Sequence, residues 1–249
     1  MAKAGSKKRK IIICIVSIVA VIALLFGACA VYLGDYYHAI TPAVESFGLQ
    51  DGSSLTETIK LDNGNIVCKS ENATKGLIFY PGGKVEYTAY LPLMESLAQK
   101  GILCVLVRMP FNLAVFDVNA ADGIREMFPE ITDWYIGGHS LGGSMAAAYL
   151  EKHPSDFKGL LLLAAYSTAD LSSENIRTLS IYGSNDGVLN REKYEQYRSN
   201  LPELTEYIID GGCHAYFGVY GSQDGDGTPT IDNARQINLT ADAVAKWVG

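Results

Sequence analysis

A serine stands between two pairs of glycines in the segment YIGGHSLGGS. Gly138-His139-Ser140-Leu141-Gly142 fits the pattern G-x-S-x-G, in which a serine occupies a strained turn from a strand into a helix. Glycines two positions before and after the serine let the chain close on itself, and the start of the helix directs N–H groups toward the hydroxyl. The pattern predicts that Ser140 is a nucleophile. A glycine-rich turn with an inactive serine is the structural alternative.

A serine nucleophile needs a base, and the base needs an acid that orients it. In strand–turn–helix sites of this kind the acid and then the histidine follow the serine in the chain. His214 follows the last predicted strand, in IIDGGCHAYFG, and is the predicted base, whereas His139 is expected to face away from the hydroxyl. Asp186, in SIYGSNDGVL, is the predicted acid. A role in stabilising its own turn and the use of Asp210 instead both stay open.

Acyl transfer also needs donors for the oxyanion of the tetrahedral intermediate. The backbone N–H of Leu141 is predicted as one donor, and the glycine-rich segment FYPGGKV offers the second. Gly83 is the preferred residue there and Lys84 the alternative, while the Lys84 side chain either binds substrate or is solvated. Met109 and Phe111, on the loop after the next strand, are candidates to line an acyl pocket, with ordinary core packing as the alternative.

The elements that must position these residues alternate along the chain. Apolar strands such as GLIFY, ILCVLVRM and GLLLLAAY, separated by helical segments, predict an α/β fold with a mostly parallel sheet and helices on both faces. ETIKL and NIVCKS flank a turn and predict a hairpin, and DVNAADGIREMFPE predicts a helix. Ligands of such sheets bind beyond the carboxyl ends of the strands, where the candidate residues fall. Residues 167–177 are too few for a cap domain.

Five segments carry a resemblance to a known family: YPGGKVEYTAYLPLMESLA, MPFNLAVFDVNAAD, IGGHSLGG, LSIYGSNDGVL and GGCHAYFGVYG. They resemble a bacterial branch of the α/β-hydrolase superfamily, α/β-hydrolase family 5, which is distantly similar to dienelactone hydrolases. The resemblance extends from about residue 36 to the C-terminus, and implies the α/β-hydrolase fold with Ser140, Asp186 and His214 as a triad. It does not name a substrate, because the superfamily hosts esterases, thioesterases, lactonases, peptidases and non-enzymes.

The N-terminus has a different composition. Residues 1–10, MAKAGSKKRK, carry five cations and no acid, and residues 11–34 are uncharged and mostly apolar. That length suits the roughly 20 residues that cross a bilayer, and the preceding cations predict a cytoplasmic N-terminus with the body outside. The length favours a signal-anchor over the alternative, a signal peptide cleaved near ACA at residues 28–30. A stalk at residues 35–52 and a catalytic domain at residues 53–249 are predicted to follow.

The body after residue 10 is acidic, with 27 acidic against 15 basic residues. This balance argues against a nucleic-acid partner, because phosphate binding needs clustered Lys and Arg. The three cysteines that follow the apolar run, Cys68, Cys104 and Cys213, lack a metal-binding spacing, although one disulfide is possible. The long loop at residues 215–231 is predicted to be functional, but its Asp224 and Asp226 match a calcium loop poorly. No metal or cofactor is therefore expected.

Together these observations predict a membrane-anchored, extracytoplasmic serine hydrolase that cleaves a small-molecule carboxylic ester, thioester or lactone. Two alternatives stay open. One is a non-catalytic binding protein on the same fold, and the other is a peptidase that uses the same triad.

Overall fold

The computed structural model describes residues 2–42, 44 and 56–249. The chain forms two compact units, Met1–Tyr36 and Tyr37–Gly249. The first unit is built on one helix, α1 (Ala2–Gly34). Within it, Ile15–Gly34 has a mean hydropathy of 2.7, is exposed, and is long and apolar enough to cross a membrane. A membrane anchor and a signal sequence near an N-terminus both meet that criterion.

The described residues of the second unit form an eight-stranded sheet in the order β1-β2-β4-β3-β5-β6-β7-β8. The strands are β1 (Thr56–Lys60), β2 (Ile66–Ser70), β3 (Lys75–Tyr80), β4 (Ile102–Leu106), β5 (Asp133–His139), β6 (Gly159–Leu163), β7 (Arg177–Gly183) and β8 (Leu204–Ile209). The β1–β2 hairpin and the β2–β4 pair are antiparallel, and every other pair is parallel. The predicted hairpin and mostly parallel sheet are confirmed.

Helices cover both faces of this sheet, as predicted. They are α2 (Leu91–Ala98), α3 (Leu141–Leu150), α4 (Arg191–Tyr197) and α5 (Asn233–Val248). Successive strand residues point to opposite faces, so Leu77 of β3 packs in the core cluster with α2 and α5, whereas Ile78 packs in the cluster with α3. The two core layers hold the parallel strands rigidly, and the carboxyl ends of those strands form one edge.

The helix predicted over residues 117–130 is wrong. The structure has turns there and one short 3-10 helix, Arg125–Met127. Gly123 takes a left-handed φ of 75°, which interrupts a helix. The Tyr80 hydroxyl donates to the Val118 carbonyl at 2.8 Å and accepts the Ala121 N–H at 3.0 Å. A side chain from β3 thus binds two backbone groups that a helix would have paired within its own backbone.

Two connections bear on access to the site. The described residues between β6 and β7 form only turns and bends, so no cap is inserted there, as predicted. At the N-terminal side, Tyr37 donates its N–H to the Lys84 carbonyl at 2.8 Å and forms a parallel bridge with Val85. We therefore propose that the body begins at Tyr37, inside the segment predicted as a stalk. Within that segment, residues 43 and 45–52 lie outside the described residues.

The cysteines whose side chains the structure describes are all free thiols: Cys29, Cys68, Cys104 and Cys213. Cys68 on β2 and Cys104 on β4 lie opposite each other in the antiparallel register.

Candidate active site

Ser140 lies at the sharp turn from β5 into α3. Its φ of 51° and ψ of −123° form a conformation that costs a residue with a side chain about 1–3 kcal/mol. The turn closes because two neighbours lack side chains: a Cβ on Gly138 would lie 2.4 Å from the Tyr80 carbonyl oxygen, and one on Gly142 would lie 2.3 Å from that of Pro81. The close approach of the chain that the motif predicts is therefore present.

His214 and Asp186 form a buried pair at the same edge of the sheet. Asp186 follows β7 and His214 follows β8, and the His214 Nδ1 lies 3.0 and 3.2 Å from the two Asp186 carboxylate oxygens. Their side chains are 1% and 0% exposed. The Asp186 Oδ1 also accepts the N–H groups of Val188 and Leu189, at 2.9 and 2.8 Å. The carboxylate thus both stabilises its own turn and faces the histidine.

The second ring nitrogen of His214 faces away from the acid. This Nε2 is buried and has no hydrogen-bond partner among the described residues. An unpaired buried polar atom costs about 1–3 kcal/mol, and a catalytic role is one reason a protein retains it. No hydrogen bond joins it to the Ser140 hydroxyl in the described structure. Catalytic hydrogen bonds of this kind often tighten only when substrate binds.

His139 lies in the core beside the site. Its ring centroid is 4.5 Å from that of His214, and its Nδ1 is 2.8 Å from the Tyr90 hydroxyl oxygen. That hydroxyl accepts the N–H of Gly82 at 3.1 Å. Burial, with the His214 imidazole second, holds the pKa of His139 well below its ordinary value of 6.5. The neutral ring can therefore accept the Tyr90 proton, which links the nucleophile turn to the glycine turn after β3.

The structure brings Gly83 and Leu141 together. A Cβ on Gly83 would lie 2.8 Å from the Leu141 Cδ2, and within the described part of the chain neither residue's N–H donates a hydrogen bond. The Lys84 N–H, the alternative donor, already donates to the Asn112 carbonyl at 2.8 Å. The free N–H groups at this position are thus those of Gly83 and Leu141.

Residues 76–238 match the model of the alpha/beta hydrolase family. This chain belongs to the alpha/beta hydrolase family. The matched range contains the strained serine, the buried histidine–aspartate pair and the glycine turn after β3.

Solved structures of other hydrolases share the fold. A dienelactone hydrolase from Anabaena variabilis superposes with a TM-score of 0.58 at 15% identity, and the match covers 78% of this chain and 97% of that one. Carboxyl esterase 2 from the fungus Tuber melanosporum gives a TM-score of 0.57 at 13% identity, covering 79% and 88%. A proline iminopeptidase from Thermoplasma volcanium is 26% identical over 125 residues, 45% of this chain and 42% of that protein.

In this family member the two predicted acyl-pocket residues lie in different surroundings. Met109 is 3% exposed and packs in the core cluster with α3, which is the alternative the sequence left open. Phe111 is 60% exposed and contacts Phe116 edge-on, with ring centroids 5.7 Å apart. Their loop touches the glycine turn through the hydrogen bond from Lys84 to Asn112. Phe111 therefore stands on a surface loop beside the two free N–H groups.

The long loop after His214 carries two aspartates. Of these aspartates, Asp224 is exposed and Asp226 is half-buried against the turns that carry Asp186 and His214. Among the residues that the structure describes, no group of three or more His, Cys, Asp or Glu side chains could hold a metal ion. Sequence reasoning missed Tyr90 and Asp226 as residues of the site, because both contacts form only when distant segments fold together.

Proposed function

We propose that this chain is a serine hydrolase that cleaves a carboxylic ester, thioester or lactone through an acyl-enzyme. One observation carries the proposal. Ser140 is held in a strained turn, and the buried His214–Asp186 pair stands at the same sheet edge, with the His214 ring 4.5 Å from that of the residue before the serine. Membership of the alpha/beta hydrolase family supports it.

In this mechanism the Ser140 Oγ attacks the substrate carbonyl carbon while His214 Nε2 takes the hydroxyl proton. Asp186 holds the ring with Nδ1–H toward the acid, which leaves Nε2 as the nitrogen that accepts a proton. When the tetrahedral intermediate collapses, the same proton passes to the leaving alkoxide or thiolate. A water molecule then attacks the acyl-enzyme, gives its proton to Nε2, and releases the acid and the serine.

The negative oxygen of the intermediate needs donors that are already oriented, because reorienting them during the reaction would cost free energy. The Gly83 and Leu141 N–H groups fit this role, since they lie together and donate to no acceptor in the described structure. The N-terminus of α3 adds the positive end of a helix dipole. We propose these two groups as the oxyanion hole.

The substrate is proposed to be a small or extended molecule with an apolar acyl part. The site is not roofed by a cap between β6 and β7. Phe111 and Phe116 expose 60% and 56% of their surface on the loop beside the glycine turn. An acyl chain that covers these rings removes apolar surface from water, which contributes about 25 cal/mol per Å².

The location is proposed from the N-terminus. Ile15–Gly34 is long and apolar enough to anchor the chain in a membrane, and the cations at residues 1–10 favour a cytoplasmic N-terminus with the body on the other side. A cleaved signal peptide remains the alternative. Protease added to intact cells separates cytoplasmic from external placement, and the mass of the mature chain separates an anchor from a signal peptide.

The first experiment follows p-nitrophenyl esters of increasing acyl length with the full-length protein in detergent, together with fluorophosphonate labelling. We expect turnover and a label on Ser140, both lost in Ser140→Ala. Ser144→Ala is the matched control, because this serine lies one turn further along α3 and donates to the Tyr166 carbonyl at 2.6 Å. Folded wild-type protein that is neither labelled nor active would contradict the proposal and favour the non-catalytic binding protein.

The similarity to a proline iminopeptidase favours one second candidate, a peptidase on the same triad. The two candidates differ in the leaving group, so an aminoacyl p-nitroanilide is assayed beside the esters. Amide turnover with a kcat/KM above that of the esters would assign the peptidase. Ester turnover alone would leave the esterase.

A further inference from the structure

The Asp226 carboxylate accepts backbone hydrogen bonds from both loops that carry the acid–base pair. Its Oδ1 accepts the N–H groups of Gly187 at 3.2 Å and His214 at 3.0 Å, and also that of Gly227 at 2.8 Å. Its Oδ2 accepts the N–H of Ala215 at 2.8 Å. Four N–H groups thus converge on one side chain from three places in the chain.

Two of these donors lie next to or within the Asp186–His214 pair. Gly187 directly follows Asp186 in the turn after β7, and the His214 N–H belongs to the predicted base itself. One carboxylate therefore bridges two loops whose side chains must lie within hydrogen-bond distance of each other. The Asp186–His214 contact does not include Asp226, so the bridge lies behind the pair.

The loop around Asp226 packs closely on the acid turn. A Cβ on Gly187 would lie 2.5 Å from the Gly225 carbonyl oxygen, which leaves no space for a side chain. The Asn185 side chain donates to the Thr228 carbonyl at 2.8 Å, on the far side of the same contact. The bridge is thus part of a close packing of the loop on the acid turn.

The charge of the carboxylate agrees with this geometry. Partial burial acts to raise the pKa of Asp226, but the N–H groups of Ala215, His214 and Gly187 outweigh it and leave the pKa below its ordinary value. The side chain is therefore ionised at neutral pH, and hydrogen bonds to a charged acceptor are stronger than neutral ones.

We propose that Asp226 is a positioning residue, which holds the acid turn and the histidine loop at the separation where Asp186 and His214 pair and Nε2 faces Ser140. The inference rests on the proposed function, because it assigns a purpose to that pairing. It also gives a purpose to the long loop after the histidine.

The test compares Asp226→Asn with Asp224→Asn in the full-length protein, assayed on a p-nitrophenyl ester. An asparagine at 226 has nearly the same size but turns an NH₂ group toward backbone N–H donors. Asp224 lies on the same loop with an exposed side chain, so its variant is the matched control. We expect kcat to fall about 10- to 100-fold in Asp226→Asn, since a misplacement of about 1 Å can cost that much. KM and the Asp224→Asn kinetics should stay near wild type.

A proton NMR measurement gives a readout that general destabilisation would not move. The Nδ1 proton shared by His214 and Asp186 should resonate far downfield in the wild type and in Asp224→Asn. It should broaden or disappear in folded Asp226→Asn. A kcat within about twofold of wild type would overturn the proposal, because a displaced pair should cost about 10- to 100-fold. A retained downfield signal with a reduced kcat would overturn it too.

Two further experiments distinguish failure of this proposal from misfolding of the variant and from failure of the proposed function. If Asp226→Asn does not fold, Asp226→Glu keeps the charge but displaces the oxygens by one methylene, and an unchanged kcat there would overturn the proposal. If the wild type is not labelled by a fluorophosphonate, the proposed function fails, yet the NMR comparison still tests the positioning role.

Discussion

The two halves of the candidate site are held by different kinds of contact. On the nucleophile side, backbone approaches the backbone: Cβ atoms on Gly138 and Gly142 would fall within 2.4 Å of carbonyl oxygens. On the acid–base side, carboxylates accept backbone N–H groups, two on Asp186 and four on Asp226. Close packing is rigid but tolerates no added atom, whereas hydrogen bonds tolerate changes of shape but not the loss of an acceptor.

Because the acid–base side depends on hydrogen-bond acceptors, we expect the largest loss of activity when the proposed acid, Asp186, is changed. Asp186→Asn should lower kcat by about 10 000-fold, the loss expected when the orienting acid of a triad becomes an amide. The amide NH₂ would face Nδ1, which forces the ring proton onto Nε2 and removes the base.

Steady-state kinetics of Asp210→Asn serve as the control, because Asp210 is the alternative acid in the sequence and its carboxylate lies 3.4 Å from the Ser184 hydroxyl. A larger loss in Asp210→Asn than in Asp186→Asn would reverse the assignment of the acid.

On the nucleophile side, one methyl group should be enough to disrupt the turn. Gly142→Ala places a Cβ 2.3 Å from two backbone oxygens, so we expect about 3 kcal/mol of lost stability, the upper end of the usual cost of overpacking, measured by urea unfolding. Gly101→Ala is the control, since Gly101 has a φ of 81° but no atom within 4 Å of the added Cβ. It should lose only about 1–2 kcal/mol, the cost of a left-handed conformation. Equal losses in the two variants would mean that crowding at the turn does not matter.

The difference between close backbone packing and side-chain hydrogen bonds also explains what could be predicted from the sequence. Close backbone approach requires glycines at fixed local positions, so the pentapeptide around Ser140 indicates the turn directly. The order of strands and loops then picks His214 and Asp186. The loop of Asp226 is marked by its length, but its contact with Gly187, 39 residues away, and that of Tyr90 with His139, 49 residues away, follow from no short pattern in the sequence. The failed helix at residues 117–130 has the same cause, because the Tyr80 hydroxyl from a distant strand binds its backbone.

Tyr90→Phe tests whether the nucleophile side also depends on a hydrogen bond. The change leaves the Gly82 N–H and the His139 Nδ1 without their partner, which should cost about 1–3 kcal/mol of stability. Because Gly82 adjoins Gly83, we expect kcat to fall about 10-fold while fluorophosphonate still labels Ser140. A kcat loss in Tyr90→Phe as large as that in Asp186→Asn would contradict the contrast between the two sides. The nucleophile side would then depend on hydrogen bonding as much as the acid–base side does.

The last prediction concerns pH and follows from the neutral, buried His139. Burial and the neighbouring His214 imidazole depress the pKa of His139 well below 6.5, so between the two values the unfolded chain binds a proton that the folded chain does not. The free energy of unfolding should therefore be fully present above pH 6.5 and fall by up to about 1.4 kcal/mol per pH unit below it. Urea unfolding of the wild type and of His139→Gln from pH 7.5 to 5 measures the difference between their slopes. If the unfolding free energies of the wild type and His139→Gln change equally with pH, the nucleophile side tolerates a charge on His139. The two sides of the site would then differ only in how closely their backbones pack.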